Sequence, residues 1–202
     1  MNYTFFKIFN DLAGQHQWLD SLMIFIANQS PFIIAGALLI VWLRESIFGK
    51  GHYQQTTVIL TAVTFLLTLI ANSVIHLFYW HARPFVTHRV HQLIAHSATE
   101  SSFVSDHALL AFSVAIVLLQ RMKRLGYAAF AFAILTGASR IFVGVHYPAD
   151  IIGSVFIASA VGWLVVNQEA RLRPITAFII STSEKVIALT PAGKRISRDI
   201  NK

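Results

Sequence analysis

Seven of the nine histidines lie between His76 and His146, interleaved with arginine, serine and aspartate in three short patterns. The first is Arg83-Pro84, with His76 seven residues upstream. A guanidinium is a planar fork of donors that matches phosphate oxygens, and Pro84 stiffens the chain that presents it. An arginine at a membrane boundary also serves as a snorkelling anchor. The second pattern is Ser105-Asp106-His107 at the start of an apolar run. Serine is a favoured N-cap, so the free backbone N–H groups of Ser105, Asp106 and His107 would face outward and could hold an anion. Simple capping accounts for the same residues. Three consecutive residues point in different directions, which excludes a Ser-His-Asp relay among them. The third pattern is Ser139-Arg140, then His146, then Asp150. Pro148 suits a first helical turn and so puts Asp150 in that turn. The Asp150 carboxylate then reaches back to one nitrogen of His146 and leaves the other free to attack. Aspartate at a helix start is also an ordinary partner of the helix dipole. Arginines and helix amides bind phosphate, a His–Asp pair supplies a nucleophile and a second histidine supplies a proton. Together they suit phosphoryl transfer to water through a phosphohistidine.

The elements that must hold these residues are membrane helices. Of 202 residues, 55% are hydrophobic and 12% charged, and the mean hydropathy is +0.61. A soluble domain carries about a quarter charged residues, so disorder, a repeat array and a soluble globule are all excluded. The chain has no cysteine, which excludes disulfides, thiolate metal sites and cysteine nucleophiles. A bilayer span needs about 20 apolar residues, and five stretches qualify or nearly do. They are Leu19–Leu43 with a bend at Asn28–Pro31, Thr56–Tyr79, the short Val104–Gln120, Leu125 to about Val143, and Ile151–Gln168. In the last, Ser154, Ala158 and Gly162 put small residues on one face for close packing. Trp18, Trp42, Tyr53, Tyr79-Trp80, Tyr127 and Tyr147 sit near the span ends as interfacial anchors. The pattern predicts an all-α polytopic bundle of about five spans. A short N-terminal interfacial helix carries Phe5, Ile8, Phe9 and Leu12 on one face. Ile175, Phe178, Ile179, Val186 and Leu189 form a similar face near the C-terminus, and a sixth span there stays an alternative. No signal peptide is expected.

Charge gives an orientation. From Arg171 onward there are seven Lys/Arg against two Asp/Glu, a net of +5 out of +7 for the chain. Basic residues that cap an apolar chain read as membrane-facing and not as a nucleic-acid surface. Arg44 and Lys50, then Arg121, Lys123 and Arg124, mark the inner loops by the positive-inside rule. The two loops left outside hold all three patterns.

The three patterns resemble the signatures of the type-2 phosphatidic acid phosphatase superfamily of integral membrane lipid phosphatases, Lys-x6-Arg-Pro, Pro-Ser-Gly-His and Ser-Arg-x5-His-x3-Asp. The third is complete in Ser139-Arg140, His146 and Asp150. The second survives as Val104-Ser105-Asp106-His107, and the first keeps Arg83-Pro84 with His76 in place of lysine. Ser-Asp-His, Arg-Pro-Phe at 83–85 and the small size look most similar to bacterial undecaprenyl-diphosphate phosphatases of the bacitracin-resistance type. The resemblance implies that His146 is the nucleophile, Asp150 its orienter and His107 the proton donor to the leaving group. Arg83, Ser105 and Arg140 would bind the scissile phosphate, with His76 a weaker, pH-dependent stand-in for lysine. It further implies a membrane domain over 1–170, with its motifs in 76–150, and a basic amphipathic tail over 171–202. The substrate would be an isoprenoid diphosphate lipid in the bilayer of a bacterial inner membrane, the site facing outward, with no resident cofactor. A divalent-cation effect and the oligomeric state stay open.

Several residues carry alternatives. Asp106 places a negative charge beside an anion site, so it bonds elsewhere or orients a neighbouring loop. Ser139 and Glu100 are candidates for supporting the site or meeting a second phosphate, although Ser97–Ser102 reads more simply as a solvated loop. His88, His91 and His96 suggest a metal only weakly, because no carboxylate pair supports them. His81 is a pocket wall or a second proton source, while His16 and His52 read as interfacial. Phosphatidylglycerol phosphate and phosphatidic acid are alternative substrates, and a haem- or metal-binding membrane protein is the alternative of another class.

Overall fold

The computed structural model describes residues 1–49 and 51–189. Lys50 of the inner loop, and the part of the basic tail beyond residue 189, lie outside the described residues. Among those described there are eight helices and no strand: α1 (Asn2–Asn10), α2 (Gln17–Phe48), α3 (Tyr53–Phe78), α4 (Pro84–Thr87), α5 (Asp106–Arg121), α6 (Lys123–Phe142), α7 (Pro148–Asn167) and α8 (Glu169–Leu189). The all-helical polytopic bundle expected from the sequence is observed.

Four helices, α2, α3, α6 and α7, are long and apolar enough to cross a bilayer. The third expected span, α5, has 16 residues and is about 24 Å long. It compensates by position. It is the central rod, packed against α6, α7 and α3, with Ala108, Leu109, Ala111, Phe112, Ala115 and Leu118 all buried. Lipid contact is left to the surrounding helices, whose exposed Phe32, Leu66, Ile70, Phe156 and Trp163 face outward. Small residues permit the tight packing. Ser154 and Ala158 of α7 are fully buried, and a Cβ on Gly162 would come within 3.0 Å of Ile116 on α5. This is the close-packed face predicted from their spacing.

The face of α3 turned to the core is polar: Thr57, Thr61, Thr64 and Thr68 are buried. An unsatisfied hydroxyl is costly in hydrocarbon, and the helix satisfies them itself. The Thr57, Thr61 and Thr64 hydroxyls donate to the carbonyls of Tyr53, Thr57 and Leu60 at 2.8–2.9 Å.

The helix order brings the end of α3, the start of α5, the end of α6 and the start of α7 to one end of the bundle. There α1 acts as a brace. Its Phe5, Ile8 and Phe9 are exposed, while Phe6 is buried on the opposite face. Buried Asn10 donates to the carbonyls of His91 and Phe142, both at 2.8 Å, and accepts from the His91 N–H at 2.9 Å. One side chain thus ties α1 to the α4–α5 loop and to the end of α6.

At the far end, the Arg121 guanidinium donates to Thr57 at 2.8 Å, stacks over Tyr53 and pairs with Glu169 at the start of α8. Further along α8, Glu184 meets His52, just ahead of α3, at 3.6 Å. Glu169 and Glu184 are about 22 Å apart along the helix, yet one pairs with Arg121 at the end of α5 and the other with His52 just ahead of α3, both at the same end of the bundle. Helix α8 therefore lies across the bundle end, with Ile175, Phe178 and Val186 exposed, and does not form a sixth crossing.

Candidate active site

The three patterns meet around one cavity of 490 Å³, lined by His76, Arg83, Asp106, His107, Arg140 and His146 together with Trp80, His96, Thr99, Glu100, Ser101 and Val104. Its size falls in the ordinary range for small-molecule sites.

His146 stands on the turn between α6 and α7. Gly144 makes that turn possible: its φ is +86°, and a Cβ there would come within 2.5 Å of the His91 carbonyl. The His146 Nδ1 lies 2.9 Å from the carbonyl of Ser102. A carbonyl only accepts, so Nδ1 carries the proton and Nε2 carries the lone pair. Asp150 Oδ2 is 3.6 Å from the same nitrogen. The tautomer is therefore fixed first by a loop carbonyl, with the carboxylate behind it, and not by Asp150 alone as the sequence suggested. Asp150 is completely buried. Its Oδ2 accepts from the Ser102 hydroxyl at 2.5 Å and from the Tyr147 N–H at 2.8 Å, while its Oδ1 lies 3.7 Å from His81 Nδ1.

Arg83 precedes α4 and is 5% exposed. Its Nη1 is 3.2 Å from His146 Nε2 and 3.1 Å from the Val145 carbonyl, and its Nη2 is 3.6 Å from Glu100. Burial lowers the Arg83 pKa, and the carboxylates of Glu100, Asp150 and Asp106 oppose that shift. The His146 imidazole is pushed down to about 4, chiefly by burial; Asp150 opposes this while Arg140 and Arg83 reinforce it. It is neutral at pH 7, with its lone pair facing a guanidinium. His96 is lowered as well, first by burial and then by Arg83 and Arg140. Its Nδ1 accepts from the Ser97 N–H at 3.0 Å, so its approach to Glu100 at 3.3 Å is not an ion pair in the neutral state.

Arg140, 2% exposed, is held by an unusual partner. Its Nη1 donates to the Ala27 carbonyl on α2 at 3.2 Å. In a regular helix that carbonyl would accept from the N–H of residue 31, but residue 31 is Pro31, inside α2, and proline has no N–H. The proline empties an acceptor in the bundle interior and Arg140 fills it. The Asn28–Pro31 interruption leaves α2 as one helix from 17 to 48.

The other expected residues divide. His107, half-buried, lines the cavity on the first turn of α5. His76 lines it too, but its Nε2 is 2.7 Å from the Phe103 carbonyl, so that donor is already used. Asp106 accepts from Asn72 Nδ2 at 2.8 Å, and Asn72 Oδ1 accepts from the Val104 N–H at 3.2 Å. Ser105 is the N-cap residue of α5, yet its side chain makes no capping bond. Its hydroxyl is buried without a partner and is absent from the cavity wall, which corrects the capping expectation. Ser139 turns back to the Thr136 carbonyl at 2.7 Å. Glu100 is exposed, but the loop around it is not uniformly solvated: Ser102 is fully buried and Ser101 nearly so. His88 stacks on Tyr3, His91 is tied to Asn10 through its backbone and His96 faces the cavity. These three go to different places. Two guanidinium groups, a helix N-terminus and an unprotonated imidazole nitrogen on one cavity can seat a tetrahedral anion and offer it a nucleophile.

The profile of the PAP2 superfamily matches residues 57–174. The chain belongs to that superfamily. It is 37% identical over 187 residues to the undecaprenyl-diphosphatase BcrC of Bacillus subtilis (strain 168), covering 93% of this chain and 94% of that protein. It is 27% identical over 173 residues to the undecaprenyl-diphosphatase of Sulfolobus acidocaldarius, covering 84% and 79%. The crystal structure of Aquifex aeolicus LpxE superposes with a TM-score of 0.67 at 22% identity, covering 82% of this chain and 94% of that one. At that identity the likeness is one of fold.

Sequence reasoning read Ser102 as part of a solvated loop and missed Asn72 and the Ala27 carbonyl. Pro31 was the signal for the last, because a proline inside a span always frees the carbonyl four residues earlier. Ser102 gave no such signal. It lies in an irregular segment, and its importance comes from contacts more than 40 residues away in sequence.

Proposed function

We propose that the protein is an outward-facing undecaprenyl-diphosphate phosphatase of the bacterial cytoplasmic membrane. It converts the diphosphate to undecaprenyl phosphate and inorganic phosphate, recycles the carrier for cell-wall synthesis and thereby confers bacitracin resistance. The observation that carries the reading is the neutral His146, its Nε2 lone pair beside Arg83 on the cavity that Arg140 and His107 also line. The likeness to undecaprenyl-diphosphatases over nearly the whole chain supports the choice of lipid. The basic Arg44, Arg121, Lys123 and Arg124 at the opposite end of the bundle support an outward-facing site.

Arg83, Arg140 and the first N–H groups of α5 seat the terminal phosphate, with His76 beside it on the cavity wall. Nε2 of His146 attacks phosphorus in line with the bridging oxygen. As the N–P bond forms, the P–O bond to undecaprenyl phosphate breaks, and His107, protonated once the anionic phosphate is seated beside it, gives its proton to the leaving oxygen. Ser102 and Asp150 hold the Nδ1–H and offset the charge of the phosphoimidazolium. His107 then takes a proton from water as water attacks phosphorus, the N–P bond breaks and phosphate leaves. Positioning and charge stabilisation supply most of the rate, and the acid–base step contributes about 10²–10⁴-fold.

Phosphate release from undecaprenyl diphosphate, phosphatidylglycerol phosphate and phosphatidic acid, compared in one detergent, tests the substrate. The isoprenoid diphosphate is expected to give the highest kcat/KM; a preference for either glycerolipid overturns the assignment.

Attack requires neutral imidazole. A depressed pKa keeps His146 unprotonated as pH falls below the ordinary histidine value of about 6.5, and the nucleophile is lost only as pH drops through about 4. NMR titration of labelled imidazoles, with His146→Ala assigning the resonance, is expected to place its midpoint near that lower value. A midpoint at the ordinary histidine pKa contradicts the burial argument.

Pro31→Ala restores an N–H that competes with Arg140 for the Ala27 carbonyl. Activity and stability are expected to move in opposite directions. kcat/KM should fall about tenfold, as for one charged hydrogen bond, while Tm should rise because an interior helix proline is removed. Unchanged kcat/KM with raised Tm would show that Arg140 does not depend on this carbonyl.

A further inference from the structure

We propose that the end of the bundle opposite the catalytic cavity holds one anionic phospholipid in a built cleft, its phosphate on Arg44, Lys123 and Arg124 and an acyl chain along the groove between α2 and the α5–α6 pair. A cleft of 730 Å³ opens there; its mouth is formed by Arg44 of α2, Tyr53 of α3, and Lys123 and Arg124 of α6. No acidic residue lines it. Among the described residues, none of the three cations has a carboxylate within salt-bridge distance. This contrasts with Arg121, which is paired with Glu169 on the same end. Glu45 follows Arg44 directly, but its side chain lies against Gly49.

The inner wall of this cleft is apolar, and it continues. A second cavity of 200 Å³ between α2, α5 and α6 shares Ala37, Val41 and Leu125 with the first and is lined only by apolar residues, among them Ala111 and Phe132. A basic mouth leading into an apolar groove, both within one side of a membrane bundle, matches an anionic headgroup joined to an acyl chain. Free phosphate would satisfy the cations and leave the groove empty. A neutral lipid would fill the groove and leave three cations without a counter-charge. Positive-inside loops alone require basic residues at this end but no continuous groove beneath them.

The test uses the full chain in vesicles of phosphatidylcholine containing a minor fraction of phosphatidylglycerol, with the lipid that stays bound after gentle extraction counted by native mass spectrometry. Wild-type protein is expected to retain phosphatidylglycerol over phosphatidylcholine. Arg44→Gln/Lys123→Gln/Arg124→Gln should lower that retention about 10²-fold, given the attraction of each cation for an anionic headgroup. Ala37→Trp should lower it with the cations intact, and excess inorganic phosphate should not displace the lipid. Phosphatase activity checks that each variant is folded, since none of these residues belongs to the catalytic cavity. The proposal fails if the triple variant retains the lipid as wild type does, or if inorganic phosphate displaces it. It fails equally if Arg171→Gln/Arg173→Gln on exposed α8 removes the lipid to the same extent, because diffuse surface charge would then be the cause.

Discussion

His146→Ala is expected to reduce phosphate release by at least about 10³-fold, because it removes the atom to which phosphorus is transferred. The protein should remain folded. His146 is a small part of the interior, and the Ser102 hydroxyl and the Tyr147 N–H still donate to Asp150 Oδ2. Intact thermal unfolding with activity lost is the expected pair of results. Asp150→Asn should cost less than His146→Ala, since the Ser102 carbonyl still holds the Nδ1–H. Equal losses for the two would shift the burden of orienting the imidazole from the loop carbonyl to the carboxylate.

Arg83→Ala is the second large effect, with an expected loss of about 10²–10⁴ in kcat/KM. The guanidinium touches the nucleophilic nitrogen, the Val145 carbonyl beside it and Glu100 across the cavity. Two charge-assisted bonds to the transferring phosphoryl group, each worth about 1.5–3 kcal/mol, give that range. Most of the loss should appear in kcat, because charge on the equatorial oxygens is met most fully in the transition state. Arg83→Lys keeps the charge without the fork and should recover only part of the rate. A variant that changed KM alone would mark Arg83 as a ground-state anchor.

The bundle was legible in the sequence for a simple physical reason. Long apolar runs such as those of α2 and α3 have few other stable fates, and the charge bias between their connecting loops follows from the same physics. Helix α5 was harder. At 16 residues it is short for a span, and only its place inside a ring of other helices explains it. Asp150 was legible because Pro148 fixes where α7 begins, and His146 because it precedes that start. The bond that sets its tautomer was not, since backbone carbonyls have no signature in sequence. Asp106 looked misplaced beside an anion site until Asn72 supplied its partner from α3, a contact across 34 residues that no local pattern encodes. Arg140 was legible as a residue but not in its support, although Pro31 had marked the freed carbonyl in plain view.

The central claim is covalent transfer of phosphate to His146. Brief reaction of the wild-type protein with undecaprenyl diphosphate labelled in the terminal phosphate, followed by alkaline quench and peptide analysis, tests it most directly. Label on the peptide that carries His146, stable to alkali and lost in acid, absent from His146→Ala and discharged on a chase with unlabelled substrate, is the predicted result. Phosphate release at full rate with no label on that peptide at any time would contradict the account.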